Sequence, residues 1–148
     1  MKTQIESLEA MQDFANSFVK NFKKEKRTTS GACIIGLKGD LGSGKTTFTK
    51  SVALALGIKD TVTSPTFVIE KIYNLPKKTA GFKRLIHIDA YRLDEGKELD
   101  VLGFQEIIKD KQNLILIEWP EQVADILPSN MKTVQFTFVS DKIREIEA

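Results

Sequence analysis

Gly39-Asp40-Leu41-Gly42-Ser43-Gly44-Lys45-Thr46 decides how this chain is read. It fits G-x-x-x-x-G-K-[ST] at every fixed position. With glycine at about 7% of residues, a chance match is expected in about one in a few hundred chains of this length. A phosphate-binding loop is therefore the reading, rather than a glycine turn carrying a surface lysine. The flanks agree with it. Ala32 to Leu37 is a buried strand by its apolar run, and about Lys45 to Leu56 is a helix that Gly57 stops.

The chemistry requires these residue types. Glycines let the backbone take conformations closed to other residues, so successive N–H groups can converge on phosphate oxygens. The helix that begins near Lys45 adds its positive end. Lys45 would reach the β- and γ-phosphates as a point charge, and the Thr46 hydroxyl would bind Mg²⁺. Residues Gly39 to Thr47, namely Gly39, Asp40, Leu41, Gly42, Ser43, Gly44, Lys45, Thr46 and Thr47, form the expected nucleotide cradle.

Such a site also needs a carboxylate at the end of a neighbouring apolar strand. Leu114-Ile115-Leu116-Ile117-Glu118 supplies one: four aliphatic residues, then an acid on the sheet edge where ligands bind in such folds. Asp89, which ends Arg84-Leu85-Ile86-His87-Ile88-Asp89, is a second candidate. His87 is the chain's one histidine. By residue type it suits a structural hydrogen bond as well as acid–base work, and alone it cannot make a histidine-rich metal site. No N-K-x-D guanine signature occurs. Asp100-Val101-Leu102-Gly103 matches D-x-x-G but falls in a helical stretch, so adenine is favoured over guanine.

Composition bounds the rest. The 148 residues are 41% hydrophobic and 28% charged, which suits one globular core and excludes a disordered chain or a disulfide scaffold. Residues 1–148 are read as a single domain. The 22 basic residues against 20 acidic ones give only +2, too little to argue for nucleic acid by bulk charge. The lone Cys33 sits in an apolar run and reads as a small hydrophobe in a reducing compartment. The longest stretch without Asp, Glu, Lys or Arg is the ten residues Thr28 to Leu37, against the roughly 20 that a membrane span needs. Glu6 and Glu9 stand where a signal peptide has its apolar core. The expectation is a cytoplasmic protein without a membrane segment.

Along the chain, Lys2 to Glu6 reads as a short strand. Ser7 to about Phe22 is an amphipathic helix with Leu8, Met11, Ala15, Phe18 and Phe22 on one face, and its basic end, Lys20 to Arg27, is solvated. Thr61 to Phe67 is a loop held by Pro65. Phe67 to Tyr73 and Leu85 to Asp89 are strands that could pair antiparallel across a polar turn. Glu95 to Lys109 is helical with a break near Gly103. Thr133 to Val139 and Ile143 to Glu147 close the chain as a hairpin. The fold class is α/β: a P-loop NTPase-like mixed sheet, parallel at its core with antiparallel strands, covered by helices on both faces.

Taken in order, Gly39 to Phe48, Ser64-Pro65-Thr66-Phe67, His87-Ile88-Asp89-Ala90-Tyr91-Arg92-Leu93 and Ile117-Glu118-Trp119-Pro120-Glu121 resemble the TsaE family of bacterial P-loop ATPases. The resemblance extends from the first helix to the final hairpin. It implies that Lys45 and the loop backbone hold ATP, and that Thr46, Asp89 and Glu118 arrange Mg²⁺ and the attacking water. Thr66, with Ser64, is similar to a nucleotide-sensing switch, and Trp119 lies beside the site. Lys45, Glu118 and Asp89 carry the catalysis in this reading. The family also implies a partner, the TsaB–TsaD complex, which transfers a threonylcarbamoyl group to the adenosine next to the anticodon of tRNA. The tRNA is then reached through that complex, and ATP hydrolysis drives or resets it. Ser43 stands where alanine is common in the family, and Ala90 replaces a larger aliphatic residue.

A small-molecule kinase is the second reading. Such enzymes close an arginine-bearing lid over the transferring phosphate. Of the four arginines here, Arg27 and Arg144 lie near the chain ends and Arg84 in a strand, leaving Arg92 as the one well placed.

Overall fold

In the computed structural model, residues 1–24, 31–66, 68–129 and 131–148 are described. The sheet is organised around β2 (Cys33–Lys38), whose Ile34 to Leu37 are all buried. Near-continuous apolar strands belong in parallel sheets covered on both faces, and β2 pairs parallel with β5 (Asn113–Glu118) on one side and β6 (Lys132–Phe138) on the other. β4 (Phe82–Asp89) joins β5 in parallel register. Antiparallel strands complete both sides: β3 (Glu70–Thr79) on β4, β7 (Arg144–Glu147) on β6, and β1 (Lys2–Ile5) on β7. The seven strands run β1-β7-β6-β2-β5-β4-β3. This is the expected mixed α/β sheet.

Alternation along the central strands sends side chains to two cores. Leu85, Leu114 and Leu116 pack on one face with α1 (Leu8–Lys24) and α2 (Lys45–Ala55). Here Phe48 of α2, fully buried, lies 5.2 Å from Phe18 and 5.4 Å from Phe136 by ring centroids. Ile86, Ile88, Ile115 and Ile117 turn to the other face. Shorter pieces cover it: α3 (Gly96–Asp100), α4 (Phe104–Lys109) and a 3-10 segment, Pro120–Ile126. Gly103, at φ 85°, separates α3 from α4, the break expected within 95–109. The Ser7 hydroxyl caps α1 by accepting from Ala10 N–H at 3.0 Å. Gly57, at φ 83°, ends α2, with Ile58 N–H reaching back to the Ala53 carbonyl in a Schellman closure.

Three local expectations change. Leu8 is 77% exposed; the buried stripe of α1 is Met11, Ala15, Val19 and Phe22. β3 starts at Glu70 rather than 67, because the Pro65 carbonyl accepts from both Val68 and Ile69 N–H and prolongs the turn. β3 also runs on to Thr79, so the polar stretch expected as a turn over 74–84 is strand, with an irregular register between Asn74 and Thr79. The turn itself is only Ala80-Gly81, both at positive φ, the backbone a two-residue hairpin loop demands. Lys26, Arg27 and Phe67 lie outside the described residues. Among the described residues, no helix is long and apolar enough to cross a membrane.

Candidate nucleotide site

The parallel strands end on one edge of the sheet, and every functional candidate except the Thr61–Thr66 loop leaves a strand there. β2 delivers the glycine loop 39–44 and then α2. β5 delivers Glu118 and Trp119, and β4 delivers Asp89. Asp89 and Glu118 are Cα partners in register, so the two carboxylates stand side by side. They share the sheet face on which α2 begins.

An open cleft of about 580 Å³ lies over this edge, within the size range of ligand pockets. Its floor is Leu41 to Thr47. One wall carries Ser64, Thr66, Asp89, Tyr91, Glu118 and Trp119, and the other Ile5 to Leu8 with Asp141, Lys142 and Arg144. Gly39 and Asp40 lie behind the loop, where their carbonyls accept from Lys45 Nζ at 2.5 and 2.9 Å. Gly39, Gly42 and Gly44 have φ of 146°, 76° and 107°, conformations that side-chain-bearing residues rarely hold. Gly44 caps α2 without any side-chain hydrogen bond, and the first turn carries no acid. The amide groups that open a helix have no intrahelical acceptor, so α2 presents bare N–H groups and a positive dipole end to the cleft. That arrangement fits a phosphate group.

Lys45 is only 4% exposed. Burial pushes its ammonium below the ordinary lysine value, partly offset by the nearby charges of Glu118 and Asp89. Its Nζ also lies 4.5 Å from the centroid of the Trp119 ring, which packs in turn against the Tyr91 ring, centroids 5.2 Å apart and planes tilted by 50°. Trp119 has φ 57° and ψ 50°. A bulky residue in the left-handed region is costly, about 1–2 kcal/mol, and such strain concentrates at functional sites.

Each carboxylate is held by two donors. Thr46 Oγ1 donates to Glu118 Oε1 and Oε2 at 3.1 and 3.2 Å, and His87 Nε2 lies 2.7 Å from Glu118 Oε2. Thr66 Oγ1 donates to Asp89 Oδ2 at 2.8 Å, while Tyr91 N–H donates to Oδ1 at 3.0 Å. Ser64 and Thr66 hydroxyls are themselves 2.7 Å apart. One hydroxyl and two carboxylates suit Mg²⁺, which takes one or two carboxylates and completes its shell with phosphate and water. Among the described residues, no group of three or more His, Cys, Asp or Glu side chains could hold a metal by itself.

Apart from Gly39 and Asp40, whose carbonyls hold Lys45 instead, the expected site residues line one cleft. Sequence reasoning missed Arg144. Near the end of the chain in sequence, it is carried by β7 to the glycine loop 39–44, where its Nε donates to the Gly42 carbonyl at 3.0 Å. Further bonds to Ser140 and Ile143 carbonyls and contact with the Phe138 ring fix the guanidinium. The D-x-x-G match at Asp100 to Gly103 spans the α3–α4 junction and not a strand end, in line with its dismissal.

Residues 5–146 match the family described as "Threonylcarbamoyl adenosine biosynthesis protein TsaE". The chain belongs to the TsaE family. The TsaE of Treponema pallidum is 37% identical over 113 residues, 76% of this chain and 78% of that protein. The TsaE of Bacillus subtilis is 40% identical over 76% of this chain and 66% of its own length. The TsaE of Rickettsia bellii is 32% identical over 97% and 90%. The fold of this TsaE-family chain is similar to the crystal structure of Bacillus subtilis YdiB, with a TM-score of 0.73 and 29% identity, over 99% of this chain and 82% of that one.

Proposed function

We propose that this chain is a Mg²⁺-dependent ATPase whose hydrolysis serves threonylcarbamoyladenosine synthesis in tRNA, through the TsaB–TsaD complex in the cytoplasm. The observation that carries the ATPase part is the Thr46–Glu118 bond. It joins the first turn behind a phosphate loop to an acid at a strand end, the pairing that a P-loop nucleotide site needs. Family membership supports the pathway, since the relatives are named for tRNA threonylcarbamoyladenosine biosynthesis.

In this reading the backbone of Gly42 to Thr47 and Lys45 hold the phosphates, with Leu41, Thr66 and Trp119 bordering them. Gly39 and Asp40 release Lys45 Nζ from their carbonyls when phosphate oxygens compete for it. Mg²⁺, held by Thr46 and Asp89 with Glu118 in its outer shell, would supply charge neutralisation across the phosphates. Glu118 then orients the attacking water and accepts its proton. Thr66, bonded to Asp89 and to Ser64, would couple the state of the site to the loop that carries both hydroxyls. Arg144 is already committed to three carbonyls, so a trans-acting cation from the partner is the expected source of further stabilisation.

The test is phosphate release from ATP by the chain alone and with TsaB–TsaD, alongside binding to the complex with ATP, ADP and a non-hydrolysable analogue. Slow turnover alone is expected, rising by about 10³–10⁵ if the partner supplies that cation. Indifference to TsaB–TsaD in every nucleotide state would sink the partner reading. Transfer of phosphate to a small molecule rather than water would favour a kinase.

A further inference from the structure

We propose that His87 is a positioning residue that holds Glu118 in its working orientation; this rests on the ATPase reading above. His87 is fully buried in the middle of β4, between Ile86 and Ile88, and Glu118 is 4% exposed. An aliphatic side chain would pack at such a position without a polar cost. The imidazole instead lies with Nε2 at 2.7 Å from Glu118 Oε2, while Nδ1 is buried without a hydrogen-bond partner among the described residues. A buried N–H without an acceptor costs about 1–3 kcal/mol. The carboxylate can only accept, so Nε2 is the donor in this bond. Burying the ring with one nitrogen unused makes sense only if the other bond is needed.

The two donors on Glu118 are not equivalent. Thr46 sits on the first turn of α2, on the cleft floor, where its hydroxyl also faces an incoming ligand. His87 belongs to the sheet frame and does not line the cleft. When a ligand engages Thr46, His87 is the donor that stays on Glu118. Without it, three side-chain torsions are free to let the carboxylate swing, and Lys45 across the site attracts it. The other charged neighbours do not replace His87: Lys71, its cross-strand partner on β3, donates instead to Thr63, and Asp89 is an acceptor.

The experiment compares His87→Leu with His87→Gln in the full chain, measuring kcat, KM and the affinity for Mg·ATP. Removal of a group that orients a ligating or catalytic side chain costs about 10–100-fold. His87→Leu should lose that much in kcat while ATP affinity holds. His87→Gln, whose side-chain amide can donate from nearly the same place as Nε2, should recover most of the loss. Since His87 is the chain's one histidine, its ring nitrogens can be observed by NMR without ambiguity. They should show an Nε2–H tautomer that shifts in Glu118→Ala. An Nδ1–H tautomer, an unchanged kcat in His87→Leu, or a His87→Gln variant as slow as His87→Leu would overturn the proposal. Should the wild-type chain release no phosphate even with TsaB–TsaD, the ATPase reading fails, while the ring spectrum still decides the pairing. If His87→Leu does not fold, the glutamine variant and that spectrum decide it.

Discussion

The Thr46 hydroxyl and the Glu118 carboxylate meet at 3.1 Å across 72 residues of chain. The contact exists because β2 and β5 are parallel neighbours, which brings the loop after one strand over the last residue of the other. A helix start and an acid are thereby fixed within reach of one ligand.

Lys45→Met separates binding from folding. The lysine should contribute a charge-assisted bond to phosphate, about 1.5–3 kcal/mol, so ATP affinity should fall by about 10- to 150-fold in titration calorimetry. Stability should not fall with it. Burial lowers the Lys45 value in the fold, so the unfolded chain binds more protons between that lowered value and 10.5, and stability rises with pH across this window. The melting temperature of Lys45→Met should exceed that of the wild type near neutral pH, and the gap should close as pH approaches 10.5. A gap that widens with pH would contradict the burial argument.

Glu118→Gln keeps the shape of the side chain and its bond from His87 but removes the charge. Mg·ATP should still bind, with turnover down by about 10²–10⁴, the weight of a general base. Asp89→Asn should instead raise the Mg²⁺ concentration needed for half-maximal rate. Normal hydrolysis by both variants across a Mg²⁺ titration would remove the pair from the site.

Arg144→Ala tests the contact between β7 and the phosphate loop. Losing the bond to the Gly42 carbonyl frees the loop at a cost of about 0.5–1.5 kcal/mol, so nucleotide affinity should drop by about 2- to 12-fold. Far-UV circular dichroism should be unchanged. An affinity equal to the wild type would show that the loop holds its shape unaided.

Phe48→Ala tests the core beneath the site. The ring is fully buried against Phe14, Phe18 and Phe136, and deleting such a side chain costs about 3–5 kcal/mol. Urea unfolding should show a lower midpoint with little change in slope. A loss below about 1 kcal/mol would mean that the cluster collapses into the space.

The phosphate loop was legible in the sequence because its requirements are local: glycines at fixed offsets, a strand before and a helix after. Glu118 and Asp89 were legible because each ends an apolar run. What could not be read was anything set by strand order. Nothing in residues 132–147 announces that β6 lies beside β2 and that β7 then brings Arg144 to Gly42. The bond between His87 and Glu118 depends likewise on β4 lying beside β5. The late start of β3 escaped prediction for a smaller reason. Pro65 reads as a loop residue, but its carbonyl also accepts from the Val68 and Ile69 amides ahead of the strand.

The irregular outer strand β3 has a bearing on how the protein behaves among its own copies. A sheet edge with free amides and carbonyls can recruit another strand and grow. Here the outermost strand sets Pro76, which has no amide to offer, beside the exposed Lys77 and Lys78, within a stretch where pairing slips out of register. An incoming strand would meet a missing donor, a break in register and two like charges to desolvate. Pro76, Lys77 and Lys78 are thus expected to disfavour edge-to-edge association through β3, and replacing them by threonine should lower the concentration at which the protein precipitates.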